Sequence, residues 1–122
     1  MTAYNLQDYI NTCSTWNSLL NELRVVNINM KLQLTESISQ ASDTRIIDKA
    51  EIFQHNFVEK DQIIDLLRHD INNLLQQIKA TRDTNSMIQY MKTLDEDISK
   101  LQKEFVQLQK KFDRFRSITS AT

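Results

Sequence analysis

Apolar residues recur along this chain at alternating steps of three and four, the spacing that lines one face of an α-helix. A first seam runs through Leu6, Tyr9, Cys13, Trp16, Leu20, Leu23, Met30 and Leu34. A second runs through Ile46, Ala50, Phe53, Phe57, Ile64, Leu67, Ile71, Leu74 and Ile78, with Lys60 at an expected core position. There the lysine is expected to bury its stem and extend its ammonium to water. The third is the most regular: Met87, Met91, Leu94, Ile98, Leu101, Phe105, Leu108, Phe112 and Phe115 keep a heptad phase throughout. The pattern predicts helices over about residues 5–40, 43–80 and 84–118, each roughly 50 Å long at 1.5 Å per residue.

Two polar clusters without apolar periodicity separate them. Ser39-Gln40-Ala41-Ser42-Asp43 offers serine and aspartate to cap the second helix, and Thr81-Arg82-Asp83-Thr84-Asn85 offers Asp83 or Thr84 to cap the third. Joints this short bring neighbouring helices back antiparallel. The expected fold is therefore all-α: one domain over residues 1–122, an elongated up-down-up three-helix bundle of coiled-coil type that self-associates. Two variants stay open, a bend at the second joint in place of a reversal and a first helix that begins or breaks several residues away.

Helix three spends its apolar residues on its seam and flanks them with charge, whereas helices one and two carry a surplus. Val25, Ile28 and Leu32 recur largely opposite the first seam, and Ile52, Ile63 and Leu66 lie beside or behind the second. A single exposed apolar residue is ordinary, but extra stripes on adjacent helices mark an interface. These six residues are the expected contact surface of a homodimer. Asn27 falls on the first seam, either as a residue that fixes register or as one satisfied by water.

Composition narrows the chemistry. Glycine and proline are both absent, so the standard phosphate-cradling, dinucleotide-binding and calcium-binding loops are excluded and both turns must be made without glycine. The single cysteine, Cys13, allows no internal disulfide and reads as an inert core thiol. No nucleophile stands in a catalytic pattern, so no enzyme and no cofactor is expected. His55 and His69 are the only histidines, about 21 Å apart along one helix, too far for one metal to bridge. Glu51-His55-Glu59 and Asp65-His69 have i,i+4 spacing, which makes a bundle binding a metal or small ligand through these residues the alternative reading. They lack the Glu-x-x-His pairs of di-iron bundles.

Net charge is −1, which argues against nucleic acid as the main partner. The charge is uneven, with Lys100, Lys103, Lys110, Lys111, Arg114 and Arg116 set against Glu104 and Asp113 late in helix three. Complementing the helix dipole accounts for part of this run. Contact with a partner helix or acidic protein, or weak nucleic-acid association as a third reading, accounts for the rest. Arg68, His69 and Asp70 form a dense polar cluster that also suits partner contact. Neither a signal-peptide leader nor an apolar stretch of membrane-spanning length is present, and a cytoplasmic protein is expected. The leading functional expectation is a non-enzymatic helical scaffold: an adaptor, small chaperone or assembly subunit acting through protein contact.

Overall fold

A computed structural model describes residues 6–80 and 84–120 of the chain. It contains three α-helices in sequence, α1 (Leu6–Ser39), α2 (Thr44–Ala80) and α3 (Thr84–Ser120). All three run unbroken, because nothing in their interiors is a helix breaker and each seam is buried along most of its length.

The joint between α1 and α2 makes its reversal without glycine. Asp43 is the cap of α2: its carboxylate Oδ1 accepts the Arg45 backbone N–H at 2.9 Å, and its carbonyl accepts those of Ile46 and Ile47. The Ala41 N–H closes onto the Ile38 carbonyl at 3.0 Å. No described residue has a positive φ, so the reversal is made with no left-handed residue at the end of α1. The Arg45 backbone and side chain together hold the Asp43 carboxyl below the usual range. The proposed caps at Asp83 and Thr84 and the second joint at 81–83 lie outside what is described.

Partner numbers show how the helices run. From Arg24 to Lys31 along α1, the paired aspartate on α2 moves back from Asp65 to Asp61. Lys60 pairs with Glu104, and Phe53 meets Phe115 at 5.1 Å between ring centroids, so α3 returns antiparallel to α2. The direction of the chain thus reverses from α2 to α3, and the bundle is up-down-up. Backbones approach most closely between α1 and α2, where Cys13, Asn27 and Ala50 are small and fully buried. The aromatic side chains of α3 hold it further out. Phe53, Phe57, Phe112 and Phe115 close the core near the first joint, with Phe57 edge-on to Phe112 at 5.3 Å and 87°.

The seams are nearly as predicted. Leu6 is exposed, since it opens α1 and has little to pack on, and Leu23, Ile46, Phe53 and Met91 are half-buried. Helix three is less economical than its sequence implies: Ile88, Val106 and Ile118 are each at least half exposed.

Candidate interaction surfaces

The polar groups inside the bundle fix how its surfaces are presented. Asn27 is fully buried; its Nδ2 donates to the Phe57 carbonyl at 2.8 Å and to Asp61 Oδ1 at 2.7 Å. Lys31 donates to the other Asp61 oxygen, and Arg24 pairs with Asp65 one turn along. Burial pushes the Asp61 carboxyl up, but the hydrogen bonds from Lys31 and Asn27 and the charges of Lys31 and Arg24 outweigh it and hold it below the usual range. Asn27 is therefore tied to protein groups.

Its Oδ1 receives no hydrogen bond from the described residues, so the asparagine is there at some cost in stability. Register is what it gains. A slip of one heptad would bring Gln54 or Arg68 to the place of Asp61, and Val58 or Asn72 to the place of Asp65. Neither slip gives Lys31 and Arg24 a carboxylate.

Lys60 also differs from its expected role. Only 9% of it is exposed, and its ammonium donates to Glu104 at 3.1 Å instead of reaching open water. The seam of α2 points inward at that level, so the nearest charge the side chain reaches is a carboxylate on α3.

These pairings locate every predicted surface residue. On α1, Arg24 and Lys31 face α2, and Ile28 lies in their row at i+4 and i−3; Val25 and Leu32 flank it one row outward. On α2, Val58 lies three residues before Asp61 and seven before Asp65, on the same flank. Val25, Ile28, Leu32 and Val58 are 43–64% exposed; Val25 and Leu32, each two residues from buried Asn27, Met30 or Leu34, lie on the outer face of α1. Lys60 marks the opposite flank of α2, toward α3. Ile63 lies in its row, is half-buried and packs on the core, while Ile52 and Leu66 stand one row further out at 64% and 65% exposure. The six residues expected to form one contact surface thus divide between the exposed side of α1 and the far side of α2. Val58, also exposed and not among the six, is placed by its spacing from Asp61 and Asp65, which only cross-helix pairing makes meaningful.

The metal alternative finds no assembled site. His55, His69, Glu51, Glu59 and Asp65 are all exposed, Asp65 is engaged by Arg24, and no cluster of three or more His, Cys, Asp or Glu among the described residues is placed to hold a metal. The Arg68-His69-Asp70 cluster also disperses. Arg68 and His69 are exposed, while Asp70 turns toward α3, where burial and the Asp70 charge push the Tyr90 hydroxyl up. Asp70, Tyr90 and Asp97 border a shallow cleft of about 330 Å³. A larger open cleft of about 810 Å³ lies where the first joint meets the end of α3, edged by Glu36, Asp43, Asp113 and Arg116. The larger is mainly polar and the smaller mainly apolar in its lining.

Lys100, Lys103, Lys110, Lys111 and Arg114 are exposed and take part in no ion pair among the described residues, whereas Arg116 is half-buried beside the larger cleft. Cys13 is fully buried, and that burial pushes its thiol up, away from the reactive thiolate. No helix among the described residues is long and apolar enough to cross a membrane. No protein-family model, curated protein or solved structure matches the chain.

Proposed function

We propose that the chain is a non-enzymatic scaffold that pairs with a second copy of itself through the exposed apolar residues of α1 and α2, forming a six-helix body. The observation carrying this reading is the exposure of Val25, Ile28 and Leu32 on α1 and of Val58 on α2, on either side of two internally balanced ion pairs. With Arg24 answered by Asp65 and Lys31 by Asp61, a two-fold partner brings no net charge of like sign to the centre of the contact.

The scale is modest. If each of these side chains on both copies buries its remaining surface for roughly 1 kcal/mol, the gross gain is about 8 kcal/mol, against an association cost of about 4–15 kcal/mol. On these side chains the balance is at best about 4 kcal/mol, a dimer of millimolar Kd or weaker, suited to an assembly that forms at high local concentration. Sedimentation from micromolar to low-millimolar concentration tests it. Wild type shifts from monomer to dimer over that range, and Ile28→Glu/Leu32→Glu stays monomeric with unchanged helicity. A wild type that remains monomeric throughout, or a double variant that dimerises equally well, refutes it.

A further inference from the structure

The outer faces of the three helices differ in chemistry. On α3, Lys103 lies two residues from buried Leu101 and Phe105, and Lys110 two residues from buried Leu108 and Phe112, so both stand on the ridge of the helix opposite its core. Lys100, Gln107 and Arg114 fill the alternating steps of three and four around them. These five exposed residues form a straight line about 21 Å long that contains no carboxylate, with exposed Lys111 at its edge. The nearest carboxylates are placed elsewhere: Glu104 is held by Lys60, Asp113 borders the larger cleft, and Glu96 ends the line one turn before Lys100. The basic side chains of the line take part in no ion pair among the described residues.

The other two ridges are unlike it. On α1 the outer face carries uncharged Val25, Ile28 and Leu32, and on α2 the matching line of Ile52, His55, Glu59, Gln62, Leu66 and His69 is mixed. A chain of net charge −1 thus presents one distinctly basic side.

From this arrangement we infer that the outer face of α3 lays the bundle side-on against an anionic membrane, with Lys100, Lys103, Lys110 and Arg114 meeting lipid headgroups. A plane set against a rod touches it along one line parallel to the axis, and on α3 that line is the basic one. Phosphates of a duplex wind around its axis and leave a straight row after a few contacts. A protein partner would need an apolar centre to bury, whereas Val106 is the one exposed large apolar side chain between Lys100 and Arg114. The α3 seam stays inside the bundle, so the contact is peripheral and electrostatic, and it is reversed by salt. The inference does not rest on the dimer proposed above, which uses residues of α1 and α2.

Co-sedimentation of the full chain with lipid vesicles tests it. Wild type pellets with mixed phosphatidylserine and phosphatidylcholine vesicles, stays in the supernatant with phosphatidylcholine alone, and is released from the mixed vesicles as salt rises. Lys103→Gln/Lys110→Gln/Arg114→Gln loses at least tenfold in partitioning. Lys49→Gln/Arg68→Gln/Lys79→Gln removes the same charge from exposed positions of α2 and stays within about twofold of wild type. Far-UV circular dichroism checks that both variants keep their helicity. Failure of wild type to bind the anionic vesicles overturns the inference. Equal losses in the two variants overturn it too, because net charge and not the α3 line would then drive binding. So does tighter binding to a DNA duplex than to the vesicles at matched salt and phosphate concentration, which assigns the basic line to nucleic acid.

Discussion

Replacing Asp61 by alanine removes the one side chain that joins Asn27 and Lys31. The consequences for the two partners differ because their exposures differ. Lys31 has 36% of its side chain exposed and returns to water, so its ion pair contributes only about 0–1 kcal/mol. Asn27 is fully buried and keeps the Phe57 carbonyl, but its second amide proton is left without an acceptor, a penalty of about 1–3 kcal/mol. Asp61→Ala should therefore cost roughly 2–3 kcal/mol in total. Asp61→Asn keeps an acceptor for Asn27 and loses only the charge, about 1 kcal/mol, and Lys31→Ala costs less still.

Urea unfolding of the three variants at pH 7, at one low protein concentration, measures the series. The pH arm has a definite sign. Because the folded-state pKa of Asp61 is lowered, its contribution is complete above the unfolded aspartate pKa of about 3.9 and is lost as pH falls from there through the folded value. Asp61→Asn should show a shallower loss of stability than wild type across that acid window. If Asp61→Ala lies within about 0.5 kcal/mol of Lys31→Ala, the carboxylate does not support Asn27 and the register argument fails.

Two further outcomes follow from the other buried groups. Lys60→Met should leave stability unchanged or raise it by about 1–2 kcal/mol, since Glu104 is 35% exposed and can be released to water. Glu104→Ala should cost about 2–3 kcal/mol by stranding an ammonium that is 11% exposed, and equal losses in the two variants would contradict this. Cys13 should react with a thiol reagent such as Ellman's only as the protein unfolds, because it is fully buried and its thiol is pushed up; prompt labelling of the native protein would mean the α1 seam opens.

How far each feature was legible depended on the distance over which it is decided. The α3 seam could be read residue by residue because Met87 to Phe115 keep one local period, and α3 buries that face whatever it packs against. Asp43 could be nominated as a cap because capping is settled within three residues of chain. Val25, Ile28 and Leu32 were recognisable as surplus to a monomer's core, and they stand exposed. Ile63 was grouped with them because periodicity alone does not tell an outward residue from one that leans into the neighbouring groove.

Local period and turn chemistry were enough to determine three unbroken helices, their buried faces and a glycine-free first joint. Tertiary structure decided which residues from different helices meet: Asp61 with both Asn27 and Lys31, Lys60 with Glu104, and Phe53 with Phe115. Those meetings depend on the axial offset and rotation of one rod against another. A seam that repeats every seven residues leaves that offset nearly degenerate until buried polar groups select one register. The same rotation leaves Val25, Ile28 and Leu32 exposed on α1 and Ile52 and Leu66 exposed on α2, and turns Ile63 onto the core.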